Sequence, residues 1–395
     1  MKYIAITLFV IFSCQLQTSA DQLTIIKEDW NKAKQIAKDQ NKLILIDFYA
    51  TWCGPCKAFS AKLAENKDLQ NQLSKDFVML KYNAEKDKKF NLTKKFHINA
   101  YPTFVAISPN VQYVDRMIGG DLITSVGEER FLQFAQNAKE TFRTKTYPLG
   151  YNYKLDNTYP TFYKNSMNKE GKMNQEDLEA YWRNTKDYSS EVSFAIYSMY
   201  GGPTIVDDYF LKHRDIFEEK FGKSATGAIL EKMSSLKFQE AFKMKDRKRF
   251  DDAKVFSMAN LDTFFSIQSL PVIEARFAAA QNECYELEKI VKGLVRTENN
   301  LTAEQINEIC WEVYKSDCKK TSLLGSAENL ISNVLEGNKN YQFLDTYACI
   351  LYKSGRYKDA ALAMESAIEY ATKANIDYQE SSKVLKLINE RINGD

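Results

Sequence analysis

Leu43-Ile44-Leu45-Ile46-Asp47-Phe48-Tyr49-Ala50-Thr51-Trp52-Cys53-Gly54-Pro55-Cys56-Lys57 decides how the first part of this chain folds. Leu43 to Tyr49 is a continuous apolar run interrupted by one acid, the pattern of a strand buried on both faces of a parallel sheet. After Cys56, Phe59, Leu63 and Ala64 recur at helical spacing, and Pro55 is tolerated in a first helical turn. A strand, a tight Gly54-Pro55 turn and a helix therefore follow one another. Two features need a reason: Asp47 inside a buried strand, and two thiols at i and i+3 where a helix opens. Cys53 falls at the helix N-terminus, where unpaired N–H groups and the macrodipole favour an anion, so it is the expected thiolate. Each unit by which its pKa falls corresponds to about 1.4 kcal/mol in favour of that form. Cys56, one turn in and sheltered, can close a disulfide with Cys53 or attack a mixed disulfide. A bare Cys-x-x-Cys can also be half a zinc site. No second Cys or His pair follows within this domain, so no metal and no cofactor is assigned.

Around this stretch the periodicities extend the pattern. Asp29 to Asp39 reads as an amphipathic helix through Trp30, Ala33, Ile36 and Ala37. Phe77 to Tyr82 reads as a second buried strand and Lys88 to Phe96 as a short helix. Thr103 to Ile107 and Val111 to Ile118 read as two strands whose short Ser108-Pro109-Asn110 connection requires antiparallel pairing. Phe131, Phe134, Ala135 and Ala138 mark a closing helix. The sum is a mixed α/β sandwich of about 120 residues.

Asp47 to Lys57 closely resembles the active-site segment of thioredoxins, and Tyr101-Pro102-Thr103-Phe104 resembles the loop that carries their cis-proline. The resemblance covers roughly Asp21 to Arg143. It implies that Cys53 is the attacking nucleophile, that Cys56 is the resolving thiol, and that Asp47 is the buried acid that accepts the Cys56 proton. It places Pro102 beside the sulfurs, where a substrate backbone can pair by strand addition. Trp52, Tyr101 and Thr103 join it as substrate-contacting residues, with Gly54, Pro55 and Lys81 in support. Lys81 matches the lysine near the acid, against the alternative of a surface strand residue. Tyr101 departs from the family, where a small or aliphatic residue precedes the cis-proline. His97 lies just ahead of that loop, but the family transfers its proton without a histidine there; His213 reads as structural.

Beyond Thr144 helical periodicities dominate. Asp207 to Phe221 and Thr226 to Met244 suit helices, and Ile273, Phe277, Ala280, Cys284, Leu287, Val291 and Leu294 form one long stripe. Tyr147 to Tyr163 reads as a linker or an irregular docking segment. Ile306, Ile309, Cys310, Val313 and Tyr314 match Leu344, Tyr347, Ala348, Leu351 and Tyr352 at an offset of 38 residues. With the turn Gly355-Arg356-Tyr357 and small residues at Ala360 and Ala367, the second copy resembles a tetratricopeptide repeat. Buried inert thiols are the first reading of Cys284, Cys310, Cys318 and Cys349; a structural disulfide among them is the alternative, with no pairing that spacing selects.

The sequence has 395 residues, 44% of them apolar and 27% charged, which suits two or three folded domains. Its net charge of +2, from 54 basic and 52 acidic residues, gives no electrostatic case for nucleic acid as a partner. The run Lys243 to Arg249 reads as a solvated face or a helix end. Lys2, the apolar run Tyr3 to Phe12, and Thr18 and Ala20 fit a signal peptide with the mature protein starting at Asp21. A rival reading makes Cys14 a lipidated first residue. The expected division is thus a signal peptide over 1–20, a thioredoxin-like domain over 21–145, a helical region over 146–302 and tetratricopeptide-like repeats over 303–395. The expected function is that of an exported, periplasmic or otherwise extracytoplasmic thiol–disulfide oxidoreductase. It would reduce disulfides in exported proteins, and its helical region would bind a protein partner. Family logic adds a membrane thiol carrier as electron donor. The alternative is a binding or assembly protein in which the redox domain only docks.

Overall fold

The run from Leu43 becomes the second of five strands in the computed structural model, which describes residues 22–120, 122, 125–152, 159–167, 171–263, 265–296 and 301–394. The expected signal peptide, with Cys14, lies outside the described residues. In chain order the first part holds β1 (Ile25–Lys27), α1 (Trp30–Gln40), β2 (Leu43–Tyr49), α2 (Gly54–Glu65), α3 (Lys67–Asp76), β3 (Phe77–Asn83), α4 (Leu92–Lys95), β4 (Thr103–Ile107), β5 (Tyr113–Ile118) and α5 (Ser125–Thr144). The sheet order is β1-β3-β2-β4-β5. β3 runs parallel to β1 and β2, while β4 is antiparallel to both β2 and β5. The short turn between β4 and β5 thus pairs its strands as its length requires.

Alternation along β2 places Leu43, Leu45 and Asp47 on one face. Leu43 and Leu45 pack there with Phe59 and Leu63 of α2, Leu69 and Leu73 of α3, and Phe131 of α5. On the other face Ile44, Ile46 and Phe48 are buried, as are Trp30, Ala33 and Ala37 of α1. Both faces of β2 are therefore covered, which is why the run shows no polar alternation.

β1 and α3 have no counterpart in the sequence reading. The expected helix Lys88–Phe96 is shorter, at Leu92–Lys95, and is preceded by a single 3-10 turn at Ala84–Lys86. Here Asp87 accepts the Tyr82 hydroxyl at 2.6 Å and the Thr93 N–H at 2.7 Å, so a side chain takes backbone bonds that a longer helix would have used.

The chain continues with α6 (Thr161–Met167), α7 (Gln175–Asn184), α8 (Glu191–Tyr200), α9 (Thr204–Lys212), α10 (Arg214–Phe221) and α11 (Lys223–Met244). The stretch expected as one helix from Asp207 is two, α9 and α10, joined at His213. The chain divides into two compact units between Ile229 and Leu230, within α11.

In the first unit the helices beyond α5 pack onto the sheet domain. The Tyr163 hydroxyl donates to the Lys94 carbonyl at 2.9 Å, and Lys95, on the same short helix, forms an ion pair with Glu191 of α8. Leu149 and Gly150 N–H groups bond the Glu219 and Lys220 carbonyls of α10. Tyr151 stacks on Tyr113 at 4.1 Å. The described part of Tyr147–Tyr163 is therefore a docking segment.

The second unit holds the rest of α11, α12 (Arg247–Asn260), α13 (Leu270–Ala280), α14 (Cys284–Arg296), α15 (Ala303–Lys315), α16 (Thr321–Gly337), α17 (Tyr341–Lys353), α18 (Tyr357–Ala374) and α19 (Gln379–Gly394). The basic run at Lys243 spans a helix end, with Asp246 capping α12. The stripe expected as one helix is α13 and α14, broken where Asn282 takes φ 54°. Ile309, Cys310, Val313, Ala348, Leu351, Ala360 and Ala367 are all buried in one core. Cys284 and Cys318 form a disulfide, whereas Cys310 and Cys349 are free and buried. The first reading of four inert thiols thus holds for two of them. Among the described residues no helix is long and apolar enough to cross a membrane.

Candidate active site

β2 ends at Tyr49 and the chain turns through Ala50 to Trp52, the Cys53 N–H closing on the Ala50 carbonyl at 3.1 Å. Cys53 is the N-cap of α2, and its sulfur accepts the Cys56 N–H at 3.1 Å. The helix therefore opens on the first thiol, and Pro55 falls in its first turn, where a missing N–H costs nothing. Cys53 and Cys56 are joined in a disulfide, with an S–S distance of 1.96 Å. Both are buried in a small cluster with Ala50, against which Tyr49 and Tyr101 pack. Gly54 has open space where a side chain would stand.

Trp52 is exposed beside the disulfide, its ring edge-on to Tyr101 at 6.0 Å and its indole N–H donating to Glu85 at 3.1 Å. The Tyr101–Pro102 peptide bond is cis. The Gly119 N–H bonds the Pro102 carbonyl at 2.8 Å, and the Thr103 hydroxyl bonds the Ala100 carbonyl at 2.8 Å, which fixes the loop from both sides. Trp52 and Tyr101 thus meet at the turn that carries the sulfurs, and Pro102 and Thr103 follow Tyr101 into β4. The Tyr101 hydroxyl is held above its ordinary pKa, by burial first and by Glu85 second.

Strand pairing sets Asp47 directly opposite Lys81. Asp47 is 2% exposed, and the Lys81 ammonium stands 3.5 Å from one of its oxygens. Its other oxygen, Oδ1, has no hydrogen-bond partner among the described residues. Burial pushes the carboxyl up to about 6, against the pull of Lys81 in the opposite direction. Lys81 also donates to Ser60 of α2, and its ammonium sits 5.5 Å from the Tyr49 ring centre. It is a partnered, partly buried residue and not a free surface lysine. The Tyr49 hydroxyl in turn donates to Glu28 at 2.8 Å.

A family model described as thioredoxin matches residues 22–126. Thioredoxin-1 of Drosophila melanogaster is 39% identical over 82 residues, which are 21% of this chain and 70% of that protein. The chain belongs to the thioredoxin family. Thioredoxin-T of the same fly is 41% identical over 81 residues, and the match spans 20% of this chain and 47% of that protein, about half of its length. An H-type thioredoxin of Fagopyrum esculentum is 33% identical over 93 residues, 23% of this chain and 73% of its own. Among solved structures, the germline-specific thioredoxin Deadhead of Drosophila melanogaster aligns at 29% identity over 29% of this chain and 98% of its own, with a TM-score of 0.23.

Within this thioredoxin domain His97 stands apart from the dithiol. Its ring is buried, stacks on Tyr151 at 6.0 Å and meets Phe194 at 6.1 Å. Burial, with Arg116 and Lys95 nearby, holds it well below its usual pKa, so it stays neutral in the packing against the helices. His213 sits between α9 and α10, 4.4 Å from the Tyr209 ring. Sequence reasoning missed Ser60, Glu85 and Glu28. Ser60 follows Cys56 by four residues, so helical spacing could have placed it below the thiol; Glu85 and Glu28 reach the site only through the sheet pairing.

Proposed function

We propose that this chain is a thiol–disulfide oxidoreductase that reduces disulfides of exported proteins. What carries the reading is the Cys53–Cys56 pair closed across the N-terminus of α2, with a buried Asp47 and a cis-proline loop in the same domain. With the pair reduced, the N–H groups of the first turn of α2 stabilise Cys53 as thiolate. It attacks a substrate disulfide, forming a mixed disulfide and releasing one substrate thiolate. Asp47 takes the Cys56 proton, Cys56 attacks the Cys53 sulfur, and the second substrate thiolate leaves. The substrate gains two electrons and the chain's dithiol loses them. The edge of the Pro102 loop offers backbone groups to an extended substrate segment, and Trp52 and Tyr101 offer apolar contact beside the sulfurs. A membrane thiol carrier would restore the dithiol.

Export through residues 1–20 is part of the same reading. The Cys284–Cys318 disulfide supports it, because structural disulfides persist in oxidising compartments. The helices from α15 onward, with their 38-residue offset and small residues at Ala360 and Ala367, support a tetratricopeptide-like partner-binding region.

The test is a Cys56→Ser variant expressed in its native compartment. It should accumulate mixed disulfides through Cys53, and their partners identify the clients. Absence of any such adduct sinks the exchange reading. If the chain is instead an assembly protein working through its helical region, Cys53→Ser keeps its partner and its phenotype. Equilibration with glutathione decides the direction, since a potential at or above that of glutathione overturns reduction.

A further inference from the structure

Ser60 lies one helical turn beyond Cys56, where α2 passes over the buried end of the Asp47–Lys81 pair. Its hydroxyl donates to the Cys56 carbonyl at 2.9 Å, an ordinary bond for a helical serine. What is not ordinary is its second bond: the same oxygen accepts a hydrogen bond from the Lys81 ammonium. Lys81 thus serves two acceptors, and the one it approaches less closely is the carboxylate. A charge-assisted N–H···O bond settles at about 2.7–2.9 Å. Lys81 stays at 3.5 Å from Asp47, and the Asp47 Oδ1 atom has no partner among the described residues. The backbone of the resolving cysteine, a hydroxyl, an ammonium and the buried acid form one continuous chain.

We propose that Ser60 is a positioning residue that holds the Lys81 ammonium back from Asp47 and so keeps Asp47 basic enough to accept the Cys56 proton. The proposal rests on the exchange reading above and adds to it how the acid is tuned. Among the described residues Lys81 is the charged group that acts on Asp47. β4 presents Phe104 opposite Asp47, β2 contributes Tyr49 with its Glu28 partner, and α2 contributes Ser60 through Lys81. In the resolving step the S–H bond of Cys56 breaks and its proton goes to Asp47. The new Cys53–Cys56 bond forms as the bond to substrate breaks, and the departing substrate thiolate is reprotonated. Were Lys81 fully paired with Asp47, the carboxylate would hold that proton less well.

The experiment uses the full-length protein with Ser60→Ala and Ser60→Thr. The Asp47 titration is followed by carbon NMR of labelled aspartate, and the rate of release from a Cys53 mixed disulfide with a short model peptide is followed against pH. In Ser60→Ala the ammonium closes on Asp47, and the midpoint of both profiles falls by about half a pH unit, which is roughly a threefold change in the ionisation ratio. Ser60→Thr keeps the hydroxyl and restores the original midpoint. An unmoved midpoint, or one that rises because Lys81 leaves for solvent, overturns the proposal. A pH-independent loss of rate with an unmoved midpoint identifies Ser60 as a packing residue only. If the titration shifts as stated but no variant, nor the parent protein, exchanges with the peptide, the exchange reading fails and the positioning role stands.

Discussion

At Asp47 burial and charge pull in opposite directions, and burial is the stronger. A carboxyl raised from 3.8 to about 6 binds its proton more tightly in the folded protein than in the unfolded chain. Between those values folding takes up a proton, so Asp47 weakens the fold fully above pH 6, and the penalty disappears as pH falls toward 4. Asp47→Asn should therefore stabilise the protein at pH 7 by as much as about 3 kcal/mol. That gain should shrink on acidification, as read by urea denaturation across pH 4 to 7. The same variant should slow release of the mixed disulfide, on the order of tenfold or more, because a proton acceptor is lost. His97 titrates in the reverse sense. It is neutral when buried, so its contribution is complete above about 6.5 and is lost below it. Comparing Asp47→Asn with the parent at each pH cancels that contribution. A variant no more stable than the parent at pH 7 would show that Lys81 neutralises Asp47 fully.

Among the elements, β2 and α2 were legible because each carries its own signal: an unbroken apolar run, and a thiol pair followed by apolar residues at helical spacing. β1 has three residues, too few for any period, and takes its place only by pairing with β3. α3 escaped notice because Gln70 and Ser74 are buried on its inner face beside Leu69 and Leu73. Gln70 donates to the Leu63 and Ala64 carbonyls, so its polarity serves the end of α2. The apolar stripe from Ile273 misled in the other direction. Ala280 and Cys284 keep helical spacing across a break, and only the left-handed Asn282 ends the first helix. At that break the Cys284–Cys318 disulfide ties the start of α14 to the loop between α15 and α16. A bridge across 34 residues removes much freedom from the unfolded chain. Replacing both cysteines by alanine should lower the stability of the second unit by about 2–4 kcal/mol, measured by denaturation under non-reducing conditions. An unchanged midpoint would show that the helices hold this corner without it.

On the scale of the whole molecule, the sequence showed where the redox residues are but not how far their domain extends. Cys53, Cys56, Asp47 and Pro102 carry local patterns, whereas the packing of α6 to α10 on the sheet domain has no short-range signature. It depends on Lys95 and Glu191, which lie 96 positions apart and are both largely buried. The lysine is held below its ordinary pKa by burial, with Glu191 pulling it back. Breaking one partner of a buried pair strands the other charge. Glu191→Gln should therefore cost about 3–5 kcal/mol, while the double replacement Lys95→Met with Glu191→Leu should recover most of it. Thermal unfolding of the parent and both variants tests this, and equal losses in the single and double variants would show that the pair itself holds the face together.

The same ion pair bears on how such a chain could have diverged. A stand-alone thioredoxin has no reason to keep a lysine at the place of Lys95 dry. Once α8 covers it, neither residue can drift without the other. In the descendants of this chain Lys95 and Glu191 should change together or not at all, and their joint loss would mark lineages in which the redox domain has become independent of the helices that follow it.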